Sequence, residues 1–153
     1  MSFSGNTTKE STTTVNNDGW WPDLSVADFE KRYRLPFDYE EMILVDGLQL
    51  GMAWANTQLK HWREGLAEFD YENLAAVPSD ALGGESVKLI HYRRAVYCHA
   101  KAFLLQQFST VNRREAARNE ARENEETEST FLAYAQHAIA SFKGESPVTV
   151  ELI

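Results

Sequence analysis

The chain has 153 residues, of which 43% are hydrophobic, 25% charged and 12% aromatic. This length suits one domain around a single core, and the composition is that of an ordinary soluble globular protein. The net charge of -8 argues against a basic nucleic-acid-binding surface over the whole domain. Cys98 is the only cysteine, which excludes an intrachain disulfide and a cysteine-rich zinc site and favours a reducing compartment.

The first residues of the chain indicate where the protein is found in the cell and which segment is disordered. No apolar run reaches the roughly 18 residues that a membrane span needs, and residues 1–15 lack the basic and apolar regions of a signal peptide. We therefore expect a protein without a membrane partner that stays in the cytoplasm where it is made. Residues 1–16 are rich in Ser, Thr, Asn and Gly, which predicts a disordered N-terminal arm.

An aromatic motif follows the arm and leads into a short helix. The motif reads Asn17-Asp18-Gly19-Trp20-Trp21-Pro22-Asp23. Ser25 with Asp28 three residues later resembles a capping box, which predicts a helix over about residues 26–33. Pro36 then breaks the chain.

The longest predicted element is a helix over residues 38–69, about 31 residues or roughly 46 Å at 1.5 Å per residue. Its start signal is Asp38 with Glu41. Apolar residues at steps of three or four predict its core face: Leu44, Leu48, Met52, Ala55, Leu59, Trp62, Leu66 and Phe69. A second apolar face projects roughly 120° away from the first and consists of Ile43, Leu50 and Trp54, with Gly47 between them.

The second apolar face has two interpretations, because a helix in a small monomer seldom needs two. Either the short first helix or the Trp20-Trp21 segment covers it, or it is a subunit interface. If it is uncovered, three such side chains approach the ~400 Å² patch that usually marks an interaction site.

Residues 70–84 are predicted to be a loop, and residues 85–108 a second long helix. Pro78 and Gly83-Gly84 interrupt the loop, and its apolar residues 74–77 indicate that it packs onto the core. Arg93 lies near the middle of the apolar arc of the helix. A charge there is costly unless paired, so we expect a carboxylate from another helix or from a neighbouring subunit. An ion pair buried within the same chain is the favoured alternative. The candidate subunit interface then comprises Trp20, Trp21, Pro22, Ile43, Leu50, Trp54 and Arg93.

Residues 112–128 are dominated by charge. Arg114, Arg118 and Arg122 recur every four residues and form a candidate DNA-contacting row, but six glutamates in the same segment oppose it. A solvated helix or loop is the alternative. A last helix is predicted over residues 129–142, with Gly144 as its C-terminal stop.

The final residues have a strand-like pattern. Val148, Val150 and Leu152 alternate with polar residues, and the sequence offers no second strand to pair with them. Addition to a sheet edge of another protein would satisfy such a strand, and folding back onto the bundle is the alternative. The predicted fold is all-α: three main helices and a short N-terminal helix. Its parts are an arm (1–16), a helical domain (17–144) and a docking tail (145–153).

Common catalytic signatures are missing from the sequence. Gly83-Gly84 is the only pair of adjacent glycines, and no phosphate loop or dinucleotide fingerprint is present. The four histidines show neither Glu-x-x-His nor His-x-x-x-His spacing. Cys98 is predicted to lie in the middle of a helix, with His99 directed elsewhere. We therefore expect no enzyme activity, no cofactor and no metal ion.

Four motifs, in this order, carry a resemblance to a known family. They are the aromatic motif at residues 17–23, Ala76-Val77-Pro78, Gly84-Glu85-Ser86 and Tyr92-Arg93-Arg94-Ala95-Val96-Tyr97-Cys98. Together they resemble the head completion (head stabilisation) proteins of Peduovirus-type temperate phages, over about residues 17–142. Residues 112–128 and the first residues match the family pattern poorly.

The resemblance implies a structural virion protein. That family is similar to the helical adaptors of long-tailed phages, which implies a ring beneath the portal protein after DNA packaging, matching a dodecameric portal. It also implies retention of the packaged genome and a surface for the next neck (stopper or tail completion) protein. The expected location is the head-tail junction of the virion, after assembly in the bacterial host cytoplasm.

The residue patterns agree with this role. A ring requires two different complementary surfaces on each subunit, which the candidate interface residues would supply. The acidic balance suits a channel through which DNA passes without specific binding, and Val148, Val150 and Leu152 suit portal docking. Two alternatives are a nucleic-acid-binding helical module that uses residues 113–122 and a helical regulatory protein that acts as a dimer.

Overall fold

The computed structural model describes residues 10–35, 39–111 and 121–145. Helices dominate them, in the order α1 (Val26–Arg32), α2 (Glu41–Gln58), α3 (Lys60–Glu64), α4 (Val87–Val111) and α5 (Ala121–Phe142). Two short antiparallel strand pairs accompany the helices: β1 (Thr14–Val15) with β2 (Leu24–Ser25), and β3 (Ala81–Leu82) with β4 (Glu85–Ser86). The prediction of a helix-dominated fold is confirmed, whereas neither strand pair was predicted.

The segment before α1 is tied to the core by β1. Val15 pairs with Leu24 and is only 4% exposed, and the Val26 amide donates to the Thr13 carbonyl at 3.1 Å. Thr14–Val15 therefore belongs to the fold and not to the arm predicted over residues 1–16, because burial of the valine offsets the entropy of ordering. Residues 1–9 lie outside the described part of the chain.

The short helix α1 begins where the sequence predicts. The Ser25 hydroxyl accepts a hydrogen bond from the Asp28 amide at 3.2 Å, which satisfies one of the free amides of the first turn. Val26 and Phe29 of this helix are fully buried in the core. The N-cap predicted from the sequence is confirmed.

The helix predicted over residues 38–69 is divided in the structure. After α2 ends at Gln58, α3 follows, and Ala67–Phe69 is a 3-10 turn. The break is at Leu59, whose φ of -101° and ψ of 2° are not helical, although its amide still donates to the Ala55 carbonyl at 3.0 Å. The start signal at Asp38 lies outside the described residues, and α2 has no side-chain cap at Glu40.

Most of the predicted core stripe is buried, up to the break. Five of its members are buried: Leu44, Leu48, Met52, Ala55 and Leu59. Trp62 and Leu66 are half-buried. Phe69 is 55% exposed, contrary to the prediction, because it follows the break and its ring stacks on Tyr71 instead of the core.

Two glycines let α2 approach α4 closely. A Cβ atom on Gly51 would lie 2.7 Å from the Val96 carbonyl oxygen, and one on Gly47 would lie 3.3 Å from the Phe103 ring. The two glycines are about one helical turn apart, so they share one face of α2. The absence of side chains at both positions therefore sets the separation of the two helices.

The segment between α3 and α4 packs onto the core, as predicted. Leu74 and Val77 are buried, and Gly83 and Gly84 form the two-residue turn of the β3–β4 hairpin. Their φ angles of +58° and +81° are those of a type I′ turn, which glycine adopts without strain.

The helices α4 and α5 run antiparallel. Lys88 near the start of α4 donates to the Phe142 carbonyl at the end of α5, and Lys101 lies over the ring of Phe131 further along both helices. α5 begins at Ala121, earlier than the predicted residue 129, and Gly144 follows its end with a φ of +77°. The predicted C-terminal stop is confirmed.

Candidate functional site

Trp21 is the centre of an aromatic cluster that joins the N-terminal motif to three helices. Its ring is stacked on that of Tyr92, with the centroids 4.8 Å apart and the planes 8° apart. The rings of Trp62 and Phe142 lie 6.2 Å and 5.9 Å away. Trp21 is only 3% exposed, so its side chain is part of the core of its own subunit and is not available on the candidate interface.

A closed ring of hydrogen bonds fixes the start of the motif. Asn17 Nδ2 donates to the Tyr92 hydroxyl at 2.8 Å, and that hydroxyl donates to Asn56 Oδ1 at 2.6 Å. Asn56 Nδ2 then donates back to Asn17 Oδ1 at 2.9 Å. Each of the three side chains thus donates one hydrogen bond to the next and accepts one from the other, although they come from different parts of the chain. No pattern in the sequence predicts this network.

Asp18 holds the two tryptophans in place. Its Oδ1 accepts hydrogen bonds from the amides of Trp20 and Trp21 at 3.0 Å and 2.9 Å, and its Oδ2 accepts one from Arg63. Burial alone would raise the pKa of Asp18, but these hydrogen bonds hold it below its usual value. The Arg63 guanidinium also lies 4.6 Å from the centre of the Trp20 ring.

The second apolar face of α2 is covered in part by α4. Gly47 rests against α4, and Trp54 stacks on His99 with ring centroids 4.9 Å apart. The rings of Trp20 and Trp21, one of the covers considered for this face, pack on Trp62 of the predicted core stripe.

Part of the second face stays open to solvent. Leu50 is 47% exposed, whereas Ile43 and Trp54 are half-buried. Met42, which the sequence analysis did not single out, is 74% exposed near the start of the same helix. Leu50 and Met42 therefore remain available for contact with another molecule.

Arg93 finds its carboxylate within the same chain. Its two terminal nitrogens donate to Glu85 Oε1 and Oε2 at 3.2 Å and 2.9 Å. The intrachain ion pair is confirmed, but its carboxylate lies on the β3–β4 hairpin and not on another helix, because the hairpin places Glu85 beside α4. The hydrogen bond from Arg93 lowers the pKa of the Glu85 carboxyl. The Arg93 side chain is only 14% exposed.

The N-terminal motif and the hairpin together line a groove of about 500 Å³. The groove is lined by residues 19–23, 73–75 and 84–86 and by Leu89. Pro22 is half-buried here. Two motifs that are more than sixty residues apart in the sequence therefore meet at one surface.

Several candidate residues lie beyond the described structure. Val148, Val150 and Leu152 are outside it, as are Arg114 and Arg118. The backbone of Arg122 belongs to α5, but its side chain is not described. The DNA-contacting row and the portal-docking tail therefore stay predictions.

The described residues show how Cys98 is used. Cys98 is 1% exposed and burial raises the pKa of its thiol, so it packs as a small core residue.

Within residues 10–35, 39–111 and 121–145, no group of three or more His, Cys, Asp and Glu side chains is arranged to hold a metal ion. None of the helices described here is both long enough and apolar enough to cross a membrane.

These features describe a small helical protein whose distinctive motifs pack an N-terminal segment and a hairpin against a set of helices. A sequence model of the family described as phage head completion protein (GPL) matches residues 15–153. The chain therefore belongs to the phage head completion protein family, a family of structural phage proteins and not of enzymes. The resemblance seen in the sequence motifs is confirmed.

Two relatives carry related descriptions. The probable head completion/stabilization protein of Haemophilus phage HP1 (strain HP1c1) is 27% identical over 151 residues, which cover 99% of each chain. The head completion/stabilization protein of Escherichia phage P2 is 32% identical over 98 residues, which cover 64% of this chain and 58% of the relative. No solved structure matches the sequence significantly.

Proposed function

We propose that this head completion protein assembles as a ring beneath the portal after DNA packaging, stabilises the filled head and presents a surface to the next neck protein. The observation that carries the proposal is the family match, which extends over residues 15–153 and so includes the predicted docking tail. Both relatives are described as head completion/stabilization proteins, which supports the same role here. The proposed location is the head-tail junction of the virion.

A ring requires two different surfaces on each subunit, and exposed large apolar side chains lie on α2, on α5 and at Phe69 and Leu82. Met42 and Leu50 are exposed on α2, and Leu132 and Tyr134 are each 39% exposed on α5. We place the subunit contacts on α2 and α5. Trp21 and Arg93 are removed from the candidate interface, because the first is a core residue and the second is paired inside the subunit.

The portal contact is assigned to the tail. Val148, Val150 and Leu152 would add as a strand to a sheet edge of the portal protein, with main-chain hydrogen bonds giving affinity and the alternate side chains giving specificity. The net charge of -8 supports a channel through which packaged DNA passes without specific binding, because an acidic surface repels phosphates.

The deciding experiment compares phage particles made with and without this protein. We expect particles that lack it to fill with DNA, then to lose the DNA and to carry no tail under the electron microscope. Particles that keep both their DNA and their tails would refute the proposal. Native mass measurement of the protein with and without purified portal tests the ring, since a multimer should form only on the portal.

A further inference from the structure

The groove between the two distinctive motifs has the character of a binding site for an extended peptide. Its volume of about 500 Å³ lies within the roughly 300–1,000 Å³ typical of ligand pockets. Its accessible apolar surface comes from Trp20, Pro22 and Leu89, which are half-buried, whereas Trp21 and Leu74 line it as buried side chains. None of the described residues fills this space.

Hydrogen-bonding groups beside the groove are also unused. The Ser86 hydroxyl oxygen is buried and has no hydrogen-bond partner among the described residues. Ser86 belongs to β4, which pairs with β3 along one edge only. An extended segment in the groove would bring backbone donors and acceptors to that strand, as an added strand does.

The described chain leaves α5 close to this groove. The Phe142 ring is 5.9 Å from the ring of Trp21, and Lys88, which directly precedes Leu89 of the groove, donates to the Phe142 carbonyl. Glu145 is the last residue that the structure describes, and residues 146–153 follow it in the sequence. Eight residues in an extended conformation reach about 26 Å at roughly 3.3 Å each.

We propose that the groove binds residues 146–153 of the same chain as an extended segment. Pro147 lacks an amide donor and suits the entry to such a segment. The two-residue alternation then sets Val148, Val150 and Leu152 on one face, toward the aromatic side of the groove. The apolar side chains of the docking tail are thereby buried against their own subunit before assembly. This inference requires no portal, so it stands or falls separately from the proposed function.

The test measures amide hydrogen exchange of residues 146–153 in the full-length protein. Bound residues exchange slowly, and we expect protection of at least about tenfold over the unstructured rate. Ala75→Glu places a charge in the groove and should abolish this protection. The matched control is Ala76→Glu, because Ala76 is also exposed in the same 3-10 turn but does not line the groove.

Three outcomes would overturn the inference. They are exchange of the wild-type segment at the unstructured rate, equal protection in the two alanine variants, and protection that rises with protein concentration, which would assign the segment to a neighbouring copy. Circular dichroism confirms that each variant is folded. Should Ala75→Glu unfold, Leu152→Asp removes the same contact from the side of the segment, and retained protection in that variant would equally refute the proposal.

Discussion

Replacing Gly51 with alanine tests whether the close contact between α2 and α4 sets the stability of the fold. In an isolated helix this change would be favourable by about 1 kcal/mol, because alanine has the higher helix propensity. In this protein the new Cβ atom would lie 2.7 Å from the Val96 carbonyl oxygen, where ordinary contact begins at 3.4 Å. The contacted atom is backbone, so the two helices must separate.

The cost of that separation decides the sign of the effect. Overpacking a core costs roughly 1–3 kcal/mol, and a clash with backbone belongs at the upper end of that range. After the gain in propensity is subtracted, Gly51→Ala should be less stable than the wild type by about 1–2 kcal/mol. For a chain of this size, that corresponds to a fall in melting temperature of roughly 2–8 °C.

Urea unfolding followed by circular dichroism measures the effect, and Gly47→Ala is the matched control on the same helix. The new Cβ atom at Gly47 would contact the ring of Phe103 at 3.3 Å. That ring is half-buried and can turn away, so Gly47→Ala should be neutral or slightly stabilising. A Gly51→Ala protein as stable as the Gly47→Ala protein would refute the argument.

Three further predictions concern the other contacts. Glu85→Gln should lower stability by about 1 kcal/mol at neutral pH, a small value because Glu85 is partly exposed. Because Arg93 lowers the folded-state pKa of Glu85, this contribution is present above the ordinary value of 4.5 and is lost as the pH falls through the lower folded value. The difference between wild type and variant in urea unfolding should therefore disappear in acid, and a constant difference would contradict the pairing. Trp21→Ala should cost about 3–5 kcal/mol in the same assay, whereas a loss below 1 kcal/mol would show that the ring is not a core residue. Val150→Asp should keep the helical signal but lose co-sedimentation with the portal, while Thr149→Asp on the opposite face of the strand should keep both; portal binding unchanged in Val150→Asp would exclude the tail as the docking segment.

Local signals in the sequence were sufficient to predict where several helices begin or end. Ser25 marks the start of α1 because its hydroxyl bonds an amide three residues later, a contact that depends only on neighbouring residues. Gly144 marks the end of α5 for a similarly local reason. The break at Leu59 was missed because the apolar spacing continues across it, and periodicity does not report the backbone angles of a single residue.

The candidate site was less predictable, because its contacts join distant parts of the chain. The sequence identified Arg93 as a charge that needs a partner, but only the hairpin turn at Gly83-Gly84 brings Glu85 to it. The hydrogen-bond ring that includes Asn17 and Asn56 has no periodic signal, since no rule of spacing relates residues from separate elements. The groove was missed for the same reason.

The position of Trp21 between α4 and α5 has a consequence for synthesis of the protein. A ribosome that has added Trp21 must add 121 more residues before Phe142 exists. At roughly 5–20 residues per second this takes about 6–24 s, during which Trp21 lacks its contact with Phe142 even after Trp62 and Tyr92 have been added. The native setting of the N-terminal motif therefore forms only after translation of the helical domain is nearly complete.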